Sequence, residues 1–194
     1  MKSRIRALLQ LLFLFLFMFP AFAQPAQAQS ALPTAVVVKL EGPLTPVWSG
    51  MLERAIHKAD VENADVLVIE LNTPGGGVEL MNSLMQQILA SPVPIVVYVS
   101  PRGAMAASAG TLIVLSGQIG AMAPESSIGA ASPVGMQGED IESTLEEKTK
   151  EILKASARSL AERRGEAAIQ LVEEAIDSAK AASATEALKA GLID

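Results

Sequence analysis

The chain has 194 residues and carries 15 basic against 21 acidic side chains, a formal charge of −6 that argues against nucleic acid or an anionic lipid surface as its main partner. It has no cysteine and a single histidine, which excludes disulfides, a thiol nucleophile and a histidine-based metal cluster. Half of the residues are hydrophobic, enough for one packed core.

Residues 1–28 read as a secretory signal peptide. Lys2, Arg4 and Arg6 make a basic start, and residues 8–19 form an apolar run that is short for a membrane span. Ala21-Phe22-Ala23 and Ala26-Gln27-Ala28 both suit signal-peptidase cleavage. The protein is therefore expected to work outside the cytoplasm, in a periplasm or at the outer face of a membrane. A proline-containing linker, residues 29–34, then leads into one domain, residues 35–194, with a net charge of about −9.

Within that domain, residues 35–40 read as a first strand, and Val47, Met51, Ala55, Ile56 and Ala59 fall at helical spacing over residues 46–60. Residues 65–71 read as a buried strand, 72–77 as a sharp glycine turn, and Leu80, Met81, Leu84, Met85, Ile88 and Leu89 as the apolar stripe of the next helix. A third strand is expected over residues 95–99, a small-residue turn around Ser108, and a helix from there to Gly117. Residues 122–140 look loop-like, with a short strand near Ser127-Ile128-Gly129. A long polar helix is expected over 141–163, ending at Gly165, and another over 166–181. Ser183-Ala184-Thr185-Glu186 has the form of a capping box for a last helix that Gly191 stops. Strand and helix alternating at these intervals imply βαβ units and a largely parallel sheet.

Ser108 is the candidate nucleophile. It stands among glycines and alanines between residues 103 and 111, with Met105 as the one bulky neighbour. Small side chains let the chain turn sharply from strand to helix and let a substrate backbone come close. The free N–H groups of the first helical turn then favour negative charge beside it. The alternative is a tightly packed turn with a capping serine. Gly75 and Gly76 also follow a strand directly, so they belong at the same sheet edge as Ser108. A glycine turn there can present backbone N–H groups to a carbonyl and, with the N–H of Ala109, form an oxyanion hole. The rival phosphate-loop reading lacks the Gly-x-x-x-x-Gly-Lys pattern.

A serine needs a base. His57 lies in the first amphipathic helix next to Ile56, near the core-facing side, where a structural role outweighs a catalytic one. The other common base is a lysine kept neutral by burial. On the 141–163 helix, Ile141, Leu145, Ile152 and Leu160 define an apolar face, with Lys148 on its edge and Lys150 and Lys154 on the polar side. Lys148 is thus the candidate base, against the alternative of a lysine snorkelling from the rim of a core stripe. The pair requires this helix to pack over the serine turn.

Residues 72–77, 101–111, 122–134, 159–165 and 186–194, taken in order, resemble the NfeD-type membrane-bound serine proteases. The resemblance implies an α/β fold of the Clp protease/crotonase type, built of repeated ββα units around a largely parallel sheet. It also implies a Ser–Lys dyad. The family's serine falls on Ser108 and its lysine, eleven residues before Ser159, on Lys148; its oxyanion loop falls on Gly75-Gly76. In the more distantly similar Clp proteolytic subunit the triad histidine and aspartate would fall near Ala131 and Ala179, so a Ser–His–Asp triad is absent. The family implies no cofactor, a homo-oligomer, and a peptide or membrane-protein substrate cleaved in hydrophobic segments, with stomatin-like partners among the candidates. Family members commonly continue into transmembrane helices and a small β-barrel domain beyond the position of Asp194.

Two other readings stand beside the peptidase. A crotonase-like acyl-CoA enzyme would use a similar oxyanion hole, although a signal peptide argues against a cytoplasmic thioester. A catalytically inactive scaffold would keep the fold and bind a membrane partner without turnover.

Overall fold

The computed structural model describes residues 32–133 and 143–194. The expected signal peptide lies outside the described residues, and Pro33–Asp194 form one compact unit. In chain order the elements are β1 (Ala35–Glu41), α1 (Pro46–Val61), β2 (Val66–Asn72), α2 (Val78–Leu89), β3 (Ile95–Val99), β4 (Met105–Ala107), α3 (Ala109–Ser116), β5 (Ile119–Met122), β6 (Ser127–Gly129), α4 (Ser143–Ala161), α5 (Glu166–Asp177), β7 (Ala181–Ser183) and α6 (Ala184–Lys189).

Strands β1, β2, β3 and β5 form a parallel sheet in that order. Strands β4 and β6 pair in parallel, and β7 joins β6 antiparallel, to make a second, three-stranded sheet. The chain thus runs β3-β4-α3 and β5-β6-α4 as two ββα units. The preceding βα unit reaches the second sheet through a single bridge, Thr73 to Ala106.

In-register rows explain the core. Val38, Ile69, Val97 and Gly120 stand side by side, as do Leu40, Leu71, Val99 and Met122. The large side chains of β2 and β3 in these rows are buried together with those of α1, α2 and α3. The opposite sheet face carries Val37 and Ile119, both exposed. All eight residues of α3 are buried, so this helix runs through the interior and has no polar side.

Several elements differ from the expected ones. The strands β4, β5 and β7 were not anticipated; runs of three or four residues are too short to show a period. Helix α5 stops at Asp177 rather than Ala181, because Ala179 takes φ 53° and the Lys180 N–H turns back to Glu174 O at 3.3 Å. The buried face of α1 is Trp48, Leu52, Ala55 and Ala59, while Val47 is 65% exposed. His57 is exposed, not core-facing. The last helix has the expected capping box, Ser183 with Glu186.

The C-terminal turn is locked by a buried cation. Arg164, its side chain only 3% exposed, donates to Asp194 at 2.8 Å, and Asp194 also accepts the Gly120 N–H at 2.9 Å. Burial alone would raise the Asp194 pKa, but the Gly120 N–H and the Arg164 guanidinium outweigh it and hold the carboxyl below its ordinary value. A carboxyl depressed in the folded state stabilises the fold fully above its unfolded value, about 3.9, and that contribution is lost as pH falls through the folded value. Asp194 is half exposed, so solvent screens the pair, and Asp194→Asn is expected to cost about 1 kcal/mol near neutral pH. Thermal unfolding of both proteins across pH should show the gap closing in acid; a gap constant down to about pH 2 contradicts the ionic origin.

Candidate active site at the β4–α3 turn

Strand β4 delivers the chain to Ser108, and α3 begins one residue later. The turn is sharp enough to force Ser108 to φ 54°, ψ −122°. For a residue with a Cβ that conformation costs about 1–3 kcal/mol and persists only where neighbours hold it. They do so here through the backbone. The Ser108 N–H donates to Gly129 O at 2.8 Å, and Ser108 O accepts the Thr111 N–H at 3.0 Å. Just before it, the Ala107 N–H donates to Thr73 O at 3.0 Å. The Ser108 hydroxyl does not cap α3, so it is left for other work.

The glycine turn after β2 lies directly on the serine, as its position after a strand predicts. A Cβ built on Gly75, at φ 108°, would stand 2.6 Å from Ser108 Cβ and 3.1 Å from its Oγ. The Gly75 N–H, however, donates to the buried Thr73 hydroxyl at 3.0 Å. Gly75 therefore provides room and not a donor, which corrects one of the two glycine roles expected from sequence. Gly76 and Ala109 differ: neither N–H meets an acceptor among the described residues, and both residues line the cleft in front of Ser108.

That cleft has a volume of about 690 Å³ and walls that are largely apolar, with Val78, Met81, Leu112 and Leu153 among them. Ala131 and Ala179 also line it. The resemblance to the Clp subunit implies its triad histidine and aspartate near these two positions, and alanines stand there.

Helix α4 crosses the cleft, presenting Leu145, Thr149 and Leu153. Its buried face is Leu153, Ala157 and Ala161, whereas Leu145 is 53% and Ile152 68% exposed. Of the expected stripe, Ile141 lies outside the described residues, Leu160 packs partly buried against the core, and Leu145 and Ile152 stay exposed, as does Lys148 beside them. The second half of α4 is tied to α5 by Lys154 with Asp177 and Arg158 with Glu173. Hydrogen bonds to Asp177 and then Glu151 push the Lys154 pKa up, which keeps it charged and unsuited to accept a proton. Lys150 pairs with Glu146. Among the described residues Lys148 has no carboxylate partner.

Four expected site residues, Ser108, Gly75, Gly76 and Ala109, thus meet at one edge, and Lys148 lies on the neighbouring helix one residue from Thr149 of the cleft wall. Two buried threonines, Thr73 and Thr111, had no place in the sequence reading. Their signal was faint, a hydroxyl two residues before Gly75 and another three after Ser108. Among the described residues no group of acidic or histidine side chains is placed to hold a metal ion, and no helix is long and apolar enough to cross a membrane.

Residues 35–190 match the family described as NfeD1b, N-terminal domain. The chain is similar to membrane-bound protease PH1510 of Pyrococcus horikoshii, 38% identical over 161 residues, and to membrane protein NfeD1b of Bacillus subtilis, 30% identical over 123 residues. These matches cover 81% and 63% of this chain but 36% and 28% of the relatives, so the chain spans about a third of the length of the curated proteins it resembles. Among solved structures it is similar to a serine-to-alanine variant of the 1510-N membrane-bound stomatin-specific protease, with a TM-score of 0.77 and 36% identity over 84% of this chain and 79% of that one. A lysine-to-alanine variant of 1510-N in complex with a substrate peptide gives a TM-score of 0.76 and 34% identity over 84% and 74%. The shared architecture is the Clp protease-like α/β fold.

Proposed function

The chain belongs to the family of NfeD1b N-terminal domains, and from that membership and the geometry of the β4–α3 turn we propose that it is a serine endopeptidase with Ser108 as nucleophile and Lys148 as general base. The observation that carries the reading is the strained, uncommitted Ser108 beside two unpaired N–H groups, those of Gly76 and Ala109. Ser108 Oγ attacks the peptide carbonyl carbon while the neutral Lys148 amine takes its proton. The Gly76 and Ala109 N–H groups hold the oxyanion of the tetrahedral intermediate. Collapse expels the amine, which takes the proton back from Lys148, and water then hydrolyses the acyl-enzyme by the same two steps.

The apolar cleft suits a hydrophobic stretch of peptide. With a relative named as stomatin-specific, it supports a membrane-associated, stomatin-like protein as substrate, met at the outer face of a membrane by a homo-oligomer of this chain. The choice of Lys148 rests on its place in the family motif and on the carboxylates that already occupy Lys150 and Lys154. Thr149 lines the cleft and Lys148 is its neighbour on α4.

The test is cleavage of apolar peptides from about pH 6 to pH 10 by wild type, Lys148→Ala and Lys148→Arg. A lysine base predicts a wild-type rate that rises with pH as the amine loses its proton, and a loss of about 10²-fold or more, with that limb, in both variants. Full activity in Lys148→Ala means the base is another group. The exposure of Lys148 favours one second reading, a scaffold without turnover. It predicts peptide binding with no product at any pH.

A further inference from the structure

We propose that Thr111 is a positioning residue whose hydroxyl clamps the nucleophile turn to β6, holding Ser108 Oγ and the Ala109 N–H in their relative places; this rests on the reading of Ser108 as nucleophile. Thr111 is fully buried in the first turn of α3. Its hydroxyl donates its one proton to Ala106 O at 3.0 Å, accepts the Gly129 N–H at 3.0 Å and lies 3.1 Å from Gly129 O. It therefore bonds to β4 just before the turn and to β6 across from it.

Gly129 is the fixed point of this arrangement. At φ 121° its backbone presses on β7, and a Cβ there would come within 2.4 Å of Lys180 O. Gly129 O takes the Ser108 N–H at 2.8 Å as well as facing the Thr111 hydroxyl. The two residues that bracket the start of α3 thus share one carbonyl, Gly129 O, on a segment packed closely against β7. The β4–β6 ladder ends with Ala107 opposite Gly129, so beyond it these contacts, with the Thr111 N–H on Ser108 O, resist relaxation of the strained Ser108 conformation. Removing the hydroxyl leaves the Gly129 N–H without its partner and frees the turn to move. The nucleophile and the oxyanion donor then lose alignment, while the cleft walls that bind substrate stay in place.

The effect belongs to bond formation and not to binding, and the probe is the rate at which an aryl fluorophosphonate labels Ser108, read beside kcat and KM on one peptide. Thr111→Val keeps the shape and loses the hydroxyl; it should slow labelling and lower kcat by about 10- to 100-fold with KM within about twofold. Thr111→Ser restores the hydroxyl and should label within about threefold of wild type. Labelling of Thr111→Val at the wild-type rate overturns the proposal, as does Thr111→Ser being as slow as Thr111→Val, which assigns the effect to the methyl group. Where Thr111→Val does not fold, Thr111→Cys, with its weak donor, supplies the contrast, and an unchanged rate there counts against the clamp. A wild-type protein left unlabelled at Ser108 removes the nucleophile reading itself.

Discussion

Ser108→Ala is expected to abolish peptide cleavage, by about 10³-fold or more, while leaving the fold intact. The two halves of that expectation have separate origins. In the proposed mechanism the hydroxyl supplies the atom that bonds to substrate, so its loss removes the pathway and not an increment of it. Stability is untouched because the bonds that hold this turn run through the backbone N–H and C=O of residue 108, which alanine keeps. The hydroxyl itself does not cap α3. Cleavage of a fluorogenic apolar peptide and thermal unfolding of the same preparations check both halves. Retained cleavage would mean that another group attacks, and a large fall in Tm would mean that the hydroxyl serves the fold.

Gly75→Ala should be nearly as damaging to activity although no catalytic group is removed. The new methyl carbon would lie 2.6 Å from Ser108 Cβ and 3.0 Å from Ala107 O, against backbone and a side-chain root that cannot swing away. The residue must also hold φ 108°, which an alanine tolerates poorly. Relief comes by pushing the glycine turn and the serine apart, the movement that spoils an oxyanion site. A loss of about 10²-fold in kcat/KM and about 1–3 kcal/mol of stability is expected. Gly77 makes the control. It has φ −63°, and a Cβ there meets nothing within 4 Å. Gly77→Ala, which gives up a glycine N-cap of α2, should cost about 1 kcal/mol at most and lose far less activity than Gly75→Ala. Equal effects of the two substitutions would show that general stiffening of the loop, and not the approach of Gly75 to Ser108, is responsible.

How far this site was legible before the structure depends on what each residue advertises. The valine and isoleucine runs of β1, β2 and β3 announce strands by side-chain shape, and Ser108 stands out among methyl-sized neighbours. That Gly75 and Ser108 both follow strands predicts one shared edge, but the structure makes the meeting through β4 of the second sheet, which touches the first at the Thr73–Ala106 bridge. Hydrogen bonds are a different matter. Two adjacent glycines look equivalent on paper, and only the buried Thr73 hydroxyl decides that the first donates inward and the second is left open. The orientation of α4 was misread for a related reason. Leu145 and Ile152 dominate any count of hydrophobicity, but the helix buries Ala157 and Ala161, whose small size permits close approach of α5 and α3. Alanine says little in a sequence and much in a tight interface.

Helix α4 is built as a cantilever. From Leu153 onward it is clamped, with Ala157 and Ala161 buried and with Lys154 and Arg158 bolted to α5. Ahead of Leu153 it overhangs the cleft, with Leu145 and Thr149 reaching toward the serine. The fulcrum therefore sits between Thr149 and Leu153, and Lys148 rides on the free arm. Bending that arm leaves the sheet, α3 and the serine turn undisturbed, so the stiffness of the overhang and the rigidity of the nucleophile are set by different parts of the molecule.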